Sequence, residues 1–175
     1  MKLYLVRHAA AIARGAQVVD EHRYLIPRGR ESFRLTAKKM ARKGNMPDAI
    51  ITSPLVRAVQ TAEILAEALA FKGKLVVSQE LAPGFDPAKL NRILASFKGT
   101  RKLALVGHEP DLGEVAGTLL KLTRPLPFKK GMVVCLKIPP TKRTRASLKW
   151  ILFEGKKIDA PALGIDTKQT GSKRR

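Results

Sequence analysis

Short, wholly apolar runs alternate along the chain with longer stretches in which apolar residues recur every three to four positions. That is the pattern of strands buried on both faces and of amphipathic helices that cover them. Leu3–Val6 reads as a first strand. A basic amphipathic helix is expected over about Gly29–Lys43, stopped by Gly44-Asn45. Asp48–Thr52 is a second strand. Ser53 can cap a helix and Pro54 suits its first turn, so a helix is expected from there to about Ala70, burying Leu55, Val59, Ile64, Leu65 and Leu69. Lys74–Val77 is a short third strand, and Asp86-Pro87 repeats the cap-and-proline signature to open a helix reaching about Phe97. Leu103–Val106 is a fourth strand, followed by Gly107-His108 and by a helix from Pro110 to about Leu122. Met132–Ile138 and Ser147–Phe153 read as two strands joined by a turn region, Pro139–Arg145. With no helix between them they should pair antiparallel at a sheet edge.

These elements predict an α/β fold, a three-layer α/β/α sandwich with a single, mostly parallel sheet and an antiparallel C-terminal edge hairpin. Residues 1–155 are expected to form one domain. Residues 156–175, with scattered Lys, Gly and Thr and the ending Ser172-Lys173-Arg174-Arg175, are expected to be a flexible basic tail. At 175 residues the chain can bury a core without disulfides. Its single cysteine, Cys135, alternates with apolar residues and reads as core. One unpaired cysteine, no apolar run long enough to span a bilayer and an N-terminal apolar stretch of only four residues, too short for a signal peptide, fit a cytoplasmic protein, and a monomer is expected. Charge is the unusual property. Thirty-four Lys and Arg against fourteen Asp and Glu give a net +20, with nine basic and no acidic side chains in residues 121–150. Such a field favours polyanionic partners without naming one, and solubility alone would also account for it.

Candidate chemistry gathers after the strands. Arg7-His8 follows the first, Ser53-Pro54-Leu55-Val56-Arg57-Ala58 the second, and Gly107-His108-Glu109-Pro110 the fourth. In an open α/β sheet, ligands bind outside the carboxyl ends of strands. Two arginines and two of the chain's three histidines meet the needs of phosphoryl transfer. Guanidinium groups bind oxygens in pairs without losing their proton, a neutral imidazole can attack phosphorus, and helix N-termini supply further N–H donors. Each motif alone has a bland reading: a surface Arg-His pair, a buried structural histidine, a solvated Arg57. The third histidine, His22, lies in a charged stretch and reads as surface, and Trp150 reads as packing.

Arg7-His8, Ser53-Pro54-Leu55-Val56-Arg57-Ala58-Val59-Gln60-Thr61-Ala62 and Val106-Gly107-His108-Glu109-Pro110-Asp111 together resemble the signatures of the histidine phosphatase superfamily, which has a phosphoglycerate mutase-like fold. Ala9 stands where the mutase relatives usually carry Gly, and the chain is more similar to the short, lid-free SixA-type phosphohistidine phosphatases. The resemblance covers about residues 1–153. It implies that His8 is the nucleophile, that Arg7 and Arg57 clamp the phosphoryl oxygens, and that His108 binds them from the other side. Arg23 in Arg23-Tyr24-Leu25-Ile26-Pro27-Arg28-Gly29 matches a further phosphate ligand, with Arg28 and Arg30 as nearby competitors and Ile26 where Thr is usual. Glu80 is the positional candidate for proton donor; it also reads as a solvated loop acid, and Glu109 and Asp111 are alternatives. No metal or other cofactor is expected. Phosphohistidine on a protein is the leading substrate, ahead of small phosphorylated metabolites or polyphosphate-like anions. A nucleic-acid-binding module with an idle pocket is disfavoured, because aromatics make up only 5% and do not interleave with the basic runs.

Overall fold

The four central residues of the first strand are each committed to one of two cores. In the computed structural model, which describes residues 1–15, 17–139 and 145–164, β1 (Lys2–Arg7) sends Leu3 and Leu5 to one face of the sheet and Tyr4 and Val6 to the other. All four are inaccessible to solvent. The same division runs through β2 (Ala49–Thr52), β4 (Lys102–Gly107) and β5 (Val133–Lys137). Continuous apolar runs therefore become strands sandwiched between helices, because alternate side chains need cover on both sides. Helices α1 (Pro27–Arg42) and α2 (Val56–Ala68) cover one face, with Phe33, Met40 and Leu65 buried. The other face is covered by α3 (Pro87–Ser96) and α4 (Asp111–Leu120), through Leu90, Ile93, Leu112 and Val115.

Strand order is β3-β2-β4-β1-β5-β6-β7, with β3 at Lys74–Val77, β6 at Ser147–Phe153 and β7 at Lys156–Ile158. The first four strands run parallel, and β5, β6 and β7 add on as antiparallel neighbours. The expected three-layer sandwich with an antiparallel edge is the observed architecture.

Three boundaries move for local reasons. Helix α1 starts at Pro27, which suits a first-turn position, and ends as expected where Gly44 takes φ +63°. Helix α2 starts at Val56 rather than at Pro54, because Leu55 keeps an extended backbone (φ -68°, ψ 133°) and stands as the N-cap. The expected tail is corrected over its first nine residues. Lys156–Ile158 pairs with β6 around Gly155, Ile158 and Leu163 pack on the core, and Arg124 donates to the Gly164 carbonyl. A two-residue turn was concealed there by flanking lysines. The rest of the tail and residues 140–144 of the expected β5–β6 turn lie outside the described residues. As expected, Cys135 is buried and Trp150 stacks, its ring centroid 5.7 Å from that of Tyr4. No helix among the described residues is long and apolar enough to cross a membrane.

Candidate active site

Because β4 lies between β1 and β2, the segments that leave the carboxyl ends of these three strands are neighbours. They carry His8, Ser53 and His108. Main-chain bonds pin each one. His8 N–H donates to the Gly107 carbonyl at 3.1 Å, Gly131 N–H donates to the His8 carbonyl at 3.0 Å, and Ser53 N–H donates to Val106 at 3.0 Å. The backbone of His8 and Ser53 is thus an extension of the sheet ladder, while the His108 carbonyl accepts the Leu112 N–H at 3.0 Å where α4 begins.

The imidazole rings of His8 and His108 are buried, with centroids 5.2 Å apart and planes tilted by 54°. His8 Nδ1 lies 2.8 Å from the Ala9 carbonyl oxygen. A carbonyl only accepts, so Nδ1 carries the proton and Nε2 keeps its lone pair. Burial, with smaller contributions from His108, Arg57 and Arg7, lowers the His8 pKa to about 3. Burial and the same two guanidinium groups lower that of His108 to about 4. Both rings are neutral at pH 7. His108 Nε2 pairs at 2.7 Å with the hydroxyl of Ser53, which can donate there and still accept a main-chain N–H. Its Oγ takes the Leu55 N–H at 3.3 Å, one residue before α2 begins.

Arg57 is buried in the first turn of α2, Nη1 donating to the Asp20 carbonyl at 2.6 Å and Nη2 to Asp20 Oδ2 at 2.9 Å. Arg23 is buried as well. It donates from Nε to the Ile12 carbonyl at 2.9 Å and from Nη1 to Asp20 Oδ1 at 2.7 Å. The structure therefore joins Arg23 to Arg57 through one carboxylate, while Arg28 is exposed, Arg30 is half-buried and neither pairs with that carboxylate. Arg7 donates from Nη1 to the Phe128 carbonyl at 2.6 Å, and Phe128 N–H donates to Glu109 Oε1 at 2.7 Å. Burial raises the Glu109 pKa, and Arg7 lies close enough to oppose that shift.

Three of the four buried side-chain polar atoms left without a partner among the described residues belong to this group: Arg7 Nε, Arg57 Nε and His108 Nδ1. Buried polar atoms are nearly always satisfied, so a cluster of exceptions marks a site built for an occupant.

The candidate proton donor makes its side-chain hydrogen bonds outside this group. Glu80 accepts from Arg92 Nε and Nη2 at 2.8 and 2.9 Å, and no hydrogen bond joins it to His8, Arg57 or His108. Its bond to Arg92 holds its pKa below the usual carboxylate range. Asp111 is also committed elsewhere, accepting from the N–H groups of Gly84 and Phe85. His22 is exposed.

Sequence reasoning missed Asp20, the acid between Arg23 and Arg57, and the supporting roles of Gln60 and Thr61. Gln60 Oε1 accepts the Leu25 N–H at 2.8 Å, and Thr61 Oγ1 accepts that of Ala9 at 3.0 Å while donating to the Arg57 carbonyl. The segment after β1 and the Arg23 segment are thereby both fastened to α2. The spacing Asp20-x-x-Arg23, which suits a local ion pair, was the available signal for the missed acid.

The sequence profile of the histidine phosphatase superfamily (branch 1) matches residues 3–82, a span holding Arg7, His8, Arg23 and Arg57. The chain belongs to the histidine phosphatase superfamily. It is a phosphatase of that superfamily, and a protein from Picosynechococcus sp. described only as uncharacterized is 42% identical to it over 120 residues, 66% of this chain and 71% of the relative. Among solved structures, the protein histidine phosphatase SixA complexed with tungstate superposes with a TM-score of 0.78 at 22% identity, over 88% of this chain and 97% of that one. A SixA from Agrobacterium tumefaciens gives 0.73 at 22% identity, covering 86% and 96%. A mycobacterial glucosyl-3-phosphoglycerate phosphatase complexed with VO3 gives 0.64 at 18%, covering 85% and 97%. At these identities the superpositions speak to the fold.

Proposed function

We propose that this phosphatase works through a covalent phosphohistidine on His8, and that its substrate is phosphohistidine carried by a protein. The observation that carries the mechanism is the fixed state of His8: Nδ1–H is held by the Ala9 carbonyl, Nε2 is unprotonated, and the ring is kept neutral by burial among cations. Nε2 attacks phosphorus as the bond from phosphorus to the leaving group breaks. Arg7, Arg57 and Arg23 stabilise the negative oxygens. With the Ser53 hydroxyl donating to His108 Nε2, His108 Nδ1 carries an N–H that can reach the same oxygens. In the second step water attacks phosphorus, and the P–Nε2 bond breaks. His8 leaves as the neutral imidazole it began as, because Nδ1 has kept its proton, and both protons of the water depart with the phosphate.

The carboxylates favour a nitrogen leaving group. An alcohol must be protonated as it departs, whereas a phosphohistidine protonated on its other ring nitrogen leaves as neutral imidazole unaided. Glu80 and Asp20 are both held ionised by arginines, and Glu109 and Asp111 are turned to main-chain N–H groups. The SixA likeness supports the same substrate class. The test is to incubate the protein with a phosphohistidine-bearing protein and, separately, with phosphoserine and a sugar phosphate. Faster turnover of the first and an acid-labile phosphate on His8 are expected, with both lost in His8→Ala. Turnover that survives His8→Ala refutes the mechanism, and faster turnover of the esters refutes the substrate assignment.

A further inference from the structure

At the end of the sheet opposite His8, three lysines stand abreast. Lys2 opens β1, and its partner in the parallel register is Lys102, which opens β4. Its partner in the antiparallel register is Lys137, the last residue of β5. Side chains at paired positions project to the same face, and like charges placed directly opposite one another destabilise a sheet. No carboxylate among the described residues forms an ion pair with any of the three. Asp48, which lies nearby, is turned to the main-chain N–H groups of Arg101 and Lys102. A solvated basic surface has no need of this register, since one acidic residue at any of the three positions would relieve the repulsion.

The row floors a cleft of about 810 Å³ that is also lined by Arg101, Lys149 and Trp150. Lys149 is there because of an irregularity. The β5–β6 register shifts between Cys135 and Leu136, leaving Lys149 as the extra residue between Trp150 and Leu148. Bulges of this kind re-aim a side chain. Trp150 is half-buried and stacked on Tyr4, so it forms a fixed aromatic wall. Five cationic side chains, in a volume within the about 300–1,000 Å³ of small-molecule sites, describe a multiply anionic ligand, and the indole offers a stacking surface to a flat group attached to it.

We propose that this cleft binds a short linear chain of phosphates, as found in a nucleoside polyphosphate or in inorganic polyphosphate. The lysine row spans two strand spacings, about 10 Å. That is too long for one phosphate to bridge and suits several in line. The cleft is separate from the candidate active site: Lys2 and His8 lie at opposite ends of β1, about 20 Å apart at ~3.3 Å per residue. The inference does not depend on the activity proposed above.

Trp150 is the only tryptophan in the chain, so its fluorescence reports on the cleft alone. The experiment titrates the full chain carrying His8→Ala, which prevents turnover, with ATP and with tripolyphosphate at physiological ionic strength, and repeats both by calorimetry. Saturable binding of either probe with a change in Trp150 emission is expected. Tighter binding of ATP assigns its base to the indole, and equal binding assigns the site to the phosphates alone. Lys102→Gln with Lys137→Gln should weaken binding by about tenfold, with no fall in thermal midpoint because repulsion is removed. Absence of saturable binding overturns the proposal, as does affinity unchanged in the double variant or a response to duplex DNA alone.

Discussion

Asp20→Asn isolates the one acid on which Arg23 and Arg57 converge. The carboxylate accepts from Arg23 at 2.7 Å and from Arg57 at 2.9 Å, and these bonds lower its pKa from 3.8 to about 2. At 1.36 kcal/mol per pH unit the shift corresponds to ~2.5 kcal/mol, but the side chain is 37% exposed. Discounting for solvent leaves a loss of about 1–1.5 kcal/mol in the variant at pH 7. A carboxylate whose folded pKa is depressed stabilises fully above its unfolded value and loses that contribution as pH falls through the folded one. The deficit of Asp20→Asn should therefore be constant above pH 3.8 and vanish towards pH 2. Urea unfolding at pH 7 and at acid pH measures it, with a lowered midpoint and an unchanged slope at pH 7. Arg57 keeps its bond to the Asp20 carbonyl but loses a charged anchor, so kcat/KM should fall by about tenfold, chiefly through KM. Equal stability at pH 7 would refute the electrostatic account. A rise in kcat/KM would show that Asp20 blocks the guanidinium groups and does not position them.

Glu80→Gln removes only a surface pair with Arg92 and should leave turnover of phosphohistidine within about twofold; a larger fall in kcat would return Glu80 to the role of proton donor. Gly29→Ala should cost about 2–3 kcal/mol in denaturant unfolding, because a Cβ there collides with the Ala10 carbonyl where α1 crosses the segment after His8. Acid should destabilise the fold well above the carboxylate range. His8 and His108 resist protonation down to about 3 and 4, whereas the unfolded chain binds those protons near 6.5, so stability falls as pH drops from 6.5 towards 4. The slope is up to about 1.4 kcal/mol per pH unit for each imidazole, and unfolding midpoints that stay flat from pH 6.5 to 4.5 would contradict their burial as neutral rings.

The fold was legible wherever burial was two-sided. Leu3–Val6 and Leu103–Val106 are apolar at every position because helices cover both faces, and each run is too short for a helix, which usually takes about ten residues or more. Lys156–Ile158 is an edge strand with lysines at two of three positions, so its pairing with β6 left no mark on the hydropathy of the chain. Ser53 shows a different limit. Ser-Pro ahead of an apolar periodic stretch is what a helix cap looks like, and Ser53 Oγ does accept a main-chain N–H, that of Leu55. Its bond to His108, 55 positions along the chain, exists only because β4 is inserted between β2 and β1.

The same insertion explains why the site could be read residue by residue and not as a circuit. Arg7, His8, Arg57 and His108 each sit beside a strand end, and chemistry at strand ends has a short-range signature. Asp20 belongs to no strand. It lies in a single 3-10 turn within a stretch without periodicity, and it matters only because Arg57 arrives from 37 positions away. A carboxylate among this many arginines should be the most visible residue in a chain of net charge +20, yet charge counted along the sequence hides it. Residues 22–46, just beyond Asp20, hold eight basic side chains to one acid, and only Arg23 among them reaches it. Such acids are found by asking which basic residues are buried, because a buried guanidinium requires a partner whereas an exposed one does not. Among the described residues Arg23 and Arg57 are the two arginines below one-tenth exposure, and both lead to Asp20.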